Sequence, residues 1–124
     1  MITLNITKDE KIIAQIFKQS NLQRNENSDC LVAKDKEEIL GYSIFDIDNE
    51  KMIVRYIEPL NDIALADGIL RSTLHIAAER FVMDAFYSES LPEDFLNKIG
   101  FIKDANEKRL DIDKLFKSCC SCKE

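Results

Sequence analysis

Apolar Ile2, Leu4 and Ile6 alternate with polar neighbours over Met1 to Ile6, the period-2 pattern of a strand with one buried face. Thr7-Lys8-Asp9-Glu10 then fits a reciprocal capping box, in which Thr7 accepts from the third helical amide while Glu10 reaches back. Ile12, Ile13, Ile16 and Phe17 follow as one helical face. From Ser20 to Asp29 the chain is nearly all polar, with Leu22 its one apolar anchor, which predicts a solvated loop. Cys30 to Ala33, Ile39 to Asp48 and Met52 to Glu58 are rich in Ile, Val, Tyr and Phe and are separated by short polar turns, so they read as an antiparallel meander. Pro59 ends the third of these strands, because it has no amide hydrogen and its φ is fixed.

The longest helix comes next. Ile63, Ala66, Leu70, Thr73 or Leu74, Ala77 and Phe81 recur at three- and four-residue intervals and predict its buried face, while Asp67, Arg71, His75 and Glu79 stand four apart on the opposite one. Val82 to Tyr87 reads as a strand parallel to the one before the helix, through a right-handed crossover. A second capping box, Ser90 with Glu93, opens a short helix that Gly100 closes, and Phe101-Ile102 with Arg109 to Ile112 supply one or two last strands. The fold class is α/β (α+β): a mixed, mainly antiparallel sheet containing one β-α-β unit.

Composition narrows this picture without adding chemistry. A chain of 124 residues, 45% hydrophobic, holds one domain with a real core, here assigned to residues 1–113 with a cysteine-rich tail over 114–124. The net charge of −6 argues against nucleic acid as a partner, since phosphate-backbone affinity is built from clustered Lys and Arg. No apolar run approaches a membrane span and the first residues lack a signal-peptide pattern, so the expected location is cytoplasmic, with no membrane partner. Cys119, Cys120 and Cys122 have half the spacing of a metal site; a fourth ligand would come from Cys30, His75, a carboxylate or the second subunit of a homodimer. The alternatives for these thiols are a redox role and a frayed, reduced tail.

The order β-α-β-β-β-α-β-α-β, with Gly68-Ile69-Leu70-Arg71 at the long helix and Phe95-Leu96-Asn97-Lys98-Ile99-Gly100-Phe101 at the short one, resembles the GCN5-related N-acetyltransferase (GNAT) superfamily over nearly the whole chain. The resemblance implies an acyl-CoA N-acyltransferase fold. It also implies a site for acetyl-CoA in which backbone amides at the start of the long helix hold the pyrophosphate. The residues that correspond are Ala66, Asp67, Gly68, Ile69, Leu70 and Arg71, with Ile57 on the neighbouring strand. The family pattern has Gln or Arg where this chain has Leu65, and a small residue where it has Leu70.

Catalysis in such proteins uses a carboxylate or an ordered water on the strand before the long helix as base, and often a tyrosine on the last helix as acid. Leu96 occupies that tyrosine position and cannot donate a proton. The resemblance therefore leaves Glu58 as the candidate base, with Tyr87, and nearby Tyr56, as candidate hydroxyls. His75 falls on a charged helix face and reads as a solvated histidine. Acidic Glu26, Asp29, Glu37 and Glu38 would favour a cationic amine, or serve only as solvated strand edges. Two functions follow. One is an acetyltransferase acting on a small-molecule amine or peptide acceptor; the other is a catalytically inactive GNAT-fold binding or interaction module whose cysteine tail takes a metal or a partner.

Overall fold

The computed structural model describes residues 2–115. Among these, seven strands form one sheet in the order β1-β2-β3-β4-β5-β7-β6. The strands are β1 (Ile2–Ile6), β2 (Ser28–Asp35), β3 (Glu38–Ile47), β4 (Lys51–Glu58), β5 (Asp84–Tyr87), β6 (Ile102–Asp104) and β7 (Arg109–Leu110). The helices are α1 (Glu10–Ser20), α2 (Ile63–Glu79) and α3 (Glu93–Ile99). Every pairing is antiparallel except β4 with β5, where Lys51 stands opposite Asp84 and Val54 opposite Tyr87. The meander and the β-α-β unit read from the sequence are both present.

The sheet buries both faces with different partners. Cys30, Val32, Tyr42 and Ile44 face α1, whose Ile13, Ile16 and Phe17 cover them. Leu31, Ala33, Phe45, Ile47, Met52, Val54 and Ile57 pack with α2 and α3 in the larger core. A hydrogen bond between Ser43 and Thr73 hydroxyls, 2.7 Å long and fully buried, ties β3 to α2, so neither polar group is left unsatisfied. Gly41 lets β3 approach the end of β4: a Cβ there would lie 2.5 Å from the Glu58 carbonyl oxygen.

The local signals at helix ends needed correction. Asp9, not Thr7, is the N-cap of α1; its carboxylate accepts from the Lys11 amide at 2.9 Å, while Thr7 Oγ1 accepts from the Asp9 amide. Ser90 does not cap α3 either. Pro92 is its N-cap and makes no side-chain bond, and Glu93 accepts from the Tyr87 hydroxyl at 2.6 Å instead. The strand after α2 begins at Asp84 and not at Val82.

Phe81 is the clearest departure. It is 89% exposed and has φ 62°, so it is not the last core residue of α2. The helix ends at Glu79, Phe81 donates to the Ala78 carbonyl, and Val82 donates to the Ala77 carbonyl. This pair of bonds is a Schellman closure with a phenylalanine in the left-handed position. Asn21 and Gly100 hold the same position after α1 and α3.

Candidate functional site

The parallel pair β4–β5 is short on one side only. Pairing stops at Val54 and Tyr87, the Ser88 amide continues it by donating to the Val54 carbonyl at 3.0 Å, and the Ser88 hydroxyl donates to the Arg55 carbonyl at 3.0 Å. β4 runs on through Tyr56, Ile57 and Glu58, and no described strand pairs with that stretch on the β5 side. At the same level β4 carries a bulge. Ile44 and Phe45 of β3 are adjacent, yet they stand opposite Tyr56 and Val54, so Arg55 is the extra residue.

Arg55 lies on the α1 face, held by the Gln23 carbonyl at 2.7 Å and by Asp46 at 3.5 Å. Because the bulge adds one residue, Tyr56 also reaches the α1 face while Ile57 turns into the core. The Tyr56 hydroxyl donates to Glu58 at 2.9 Å, and burial followed by that bond pushes its phenol upward. Tyr42 lies beside them, its ring centroid 6.3 Å from that of Tyr56, and burial, then the Glu58 charge, pushes it up to about 12. Glu58 opens into a small cleft between α1 and β3, where Ile12, Gln15 and Gln19 are also found.

Tyr87 belongs to the opposite face. It is packed in the α2 and α3 core, and burial, then its bond to Glu93, pushes it up to about 12. The sheet therefore separates the two candidate catalytic side chains instead of bringing them together. Leu96 is fully buried in the same core as Tyr87.

On the α2 side, Ile57, Ala66, Ile69 and Leu70 are all fully buried core residues. Leu70 thus points away from any ligand on the helix surface. Asp67 is paired with Arg71 at 3.0 Å, which offsets its charge, and the Arg71 guanidinium sits 4.9 Å from the Phe101 ring centroid. Nothing lies within 4 Å of a Cβ placed on Gly68, so the helix backbone there is open to approach. The helix does not open at Gly68, however. It starts at Ile63 with Asp62 as N-cap, and the amides of Leu65 and Ala66 are taken by the Asp62 carboxylate and carbonyl. The N–H groups without an intrahelical partner are those of the first turn, of which Ile63 and Ala64 keep theirs clear of this cap.

A cavity of about 640 Å³ was not singled out by the sequence. It lies on the α1 face over β4 and β5, with Ile53 and Phe86 as its floor and Leu22 and the Glu107-Lys108 turn at its sides. Ser88, Glu89 and Ser90 close the end next to the bulge. Glu26, Asp29, Glu37 and Glu38 do not line it. The signal that would have found it is the polar loop after α1, which brings one leucine and no helix over this half of the sheet. His75 is exposed and lines a separate groove beside β1 with Ser72 and Glu79. Cys30 is buried, and burial, then the Asp29 charge, pushes its thiol up to about 12. No group of metal-ligating side chains exists among the described residues, and Cys119, Cys120 and Cys122 lie outside them. No helix among the described residues is long and apolar enough to cross a membrane.

No protein-family model matches the sequence, and no curated protein sequence is similar to it. Solved structures do share its architecture. A ribosomal-protein-alanine N-acetyltransferase from Brucella melitensis biovar Abortus 2308 aligns over 85% of this chain and 93% of its own, at 16% identity and a TM-score of 0.61. A GNAT family acetyltransferase from Streptococcus pneumoniae TIGR4 aligns over 82% of this chain and 88% of its own, at 15% identity and a TM-score of 0.57. The chain has the GNAT acyltransferase fold.

Proposed function

We propose that this chain is an N-acetyltransferase that takes the acetyl group from acetyl-CoA and gives it to an amine. The observation that carries the reading is the β4 edge beyond Arg55, unpaired on the β5 side over Tyr56–Glu58 and flanked by α2. An extended ligand that bears amides, as the pantetheine arm of CoA does, gains strand-like hydrogen bonds on such an edge. The amides of Ile63 and Ala64, without intrahelical partners in the first turn of α2, fit the phosphates that accompany that arm, with open helix surface at Gly68 further along. The acceptor enters from the α1 face, through the 640 Å³ groove that ends at Ser88.

In the transfer, the amine lone pair attacks the thioester carbonyl carbon, a C–N bond forms, and the C–S bond breaks with its electrons on sulfur. Glu58, positioned by Tyr56, receives the amine proton through ordered water, and the thiolate is protonated from solvent, since Leu96 offers no acid. The test is calorimetric titration with acetyl-CoA and with CoA, followed by a transfer assay. Micromolar acetyl-CoA binding with N-acetylated product supports the reading, and Glu58→Gln is expected to lower kcat by about 10²-fold or more with binding kept. Absence of heat and of any thermal shift at millimolar ligand sinks it. Leu96 and the Tyr87–Glu93 bond favour a second reading, a non-catalytic module, in which acetyl-CoA binds and no product forms.

A further inference from the structure

The two edges of the sheet are β1 and β6, and they are protected unequally. An open edge offers unpaired N–H and C=O groups to any strand that meets it, and shortness, charge, proline or a bulge guards against that. β6 has three residues, the charged pair Lys103-Asp104, and a register shift against β7. β1 has none of these devices. It is Ile-Thr-Leu-Asn-Ile, five residues without a charge or a proline, in unbroken register with β2. In a chain of net charge −6 it is a neutral strip along a whole edge.

The register shows which of its groups are free. Thr7 donates to the Cys30 carbonyl at 3.1 Å, and bonded residues alternate along an antiparallel pair, so Thr3 and Asn5 turn their amides to β2 while Ile2, Leu4 and Ile6 turn theirs outward. The side chains alternate as well. Leu4 and Ile6 pack against the α2 core, whereas Thr3 and Asn5 are exposed on the opposite face. Ile2 shares the face of Leu4 and is 49% exposed.

Any strand gains main-chain bonds on such an edge, but a second copy of β1 is matched to it, because the pattern reads the same from either end. A two-fold axis at Leu4, perpendicular to the sheet, sets Ile2 opposite Ile6 of the second copy, Leu4 opposite Leu4, and Thr3 opposite Asn5. Apolar then meets apolar, polar meets polar, and no charge meets another. The three outward-facing residues are all used, each opposite pair exchanging two hydrogen bonds. We propose that β1 pairs antiparallel with β1 of a second copy, joining the two sheets into one. Five residues span about 17 Å, less than a standard interface needs, so the dimer is reversible and forms at high concentration. β2 and β3 separate β1 from β4, which leaves the β4 edge and the groove beside it open in the dimer.

Sedimentation velocity of the full chain from roughly 1 µM to 1 mM should show monomer passing to dimer. Over the upper part of that range, NMR should find hydrogen exchange slowing at the amides of Leu4 and Ile6, while those of Thr3 and Asn5, bonded to β2 in either state, stay unchanged. Two double variants test the register. Thr3→Glu with Asn5→Glu sets like charges opposite each other twice and should weaken the dimer at least tenfold, whereas Thr3→Glu with Asn5→Lys sets opposite charges there and should dimerise as well as the unaltered chain or better. Both positions are exposed, and Lys34 stands opposite Thr3 within the chain, so glutamate is accommodated there. A thermal melt checks that both variants fold; if either does not, the exchange measurement on the unaltered chain decides. Monomer at every concentration, a dimer in which Leu4 and Ile6 still exchange fast, or equal dimerisation of the two folded variants overturns the proposal. A chain that stays monomeric while the peptide Thr-Val-Thr-Val-Thr slows exchange at Leu4 and Ile6 also overturns it, and assigns the edge to a strand from another protein.

Discussion

Phe81 shows how a single position decides between two readings of the same spacing. It lies four residues after Ala77, so periodicity makes it a core anchor, yet the helix has already closed and the ring stands in solvent. A bulky residue with positive φ carries a local cost of about 1–2 kcal/mol that glycine avoids. Phe81→Gly removes that cost and an exposed ring together, so it should stabilise the fold by about 1 kcal/mol. A denaturant titration should show a higher midpoint with unchanged slope; a lower midpoint would mean that the ring is packed. Glycine at position 81 would have announced the helix end, as Gly100 does for α3, where the sequence reading and the structure agree. Leu70 makes the converse point. Its spacing from Ala66 and Ala77 already predicts a core position, and the structure buries it fully, so the large side chain at the place where the GNAT pattern has a small one faces the core and not a ligand.

Among elements, legibility tracks how many residues share a signal. The α1 stripe, the meander and the crossover helix each rest on several apolar positions in phase, and all three are present, with the crossover helix ending before Phe81. The two capping boxes each rested on a pair. Asp9 competed successfully with Thr7, and Glu93 was taken by Tyr87. The β4 bulge has no sequence signature at all, because it is defined by the register against β3, a relation between two strands. The Tyr87–Glu93 bond that links β5 to α3 has a measurable consequence. Burial, then Glu93, raises the folded phenol from the ordinary value of 10.0 to about 12, so its contribution to stability is complete below pH 10 and disappears as pH rises through 12. Tyr42 shifts the same way, through burial and then Glu58. Absorbance titration of native protein should show phenolate appearing above the pH at which it appears in denatured chain, with stability falling over the same interval. Glu93→Gln should bring Tyr87 part of the way back, since burial remains. Coincident native and denatured titrations would refute the bond.

At the scale of the molecule, the sheet divides the proposed chemistry between its faces. Gly68 and Arg71 lie with α2 on one side, Ile53 and Phe86 under the groove on the other, and the end of the β4–β5 pairing is where the two sides approach each other. That division gives substitutions separable effects. Gly68→Trp places a ring in open space on the helix surface, and exchanging glycine for tryptophan inside a helix gains a few tenths of a kcal/mol of propensity, so the melting temperature should not fall. It should weaken acetyl-CoA binding at least tenfold. Lys51→Glu should leave acetyl-CoA affinity unchanged, because the lysine is exposed at the start of β4, on the far side of the sheet from Gly68. Titrating both variants with acetyl-CoA yields two affinities, and only that of Gly68→Trp should change. Equal losses from both substitutions would remove the two-sided arrangement, whereas a Gly68→Trp variant that keeps full acetyl-CoA affinity would remove α2 from the cofactor site.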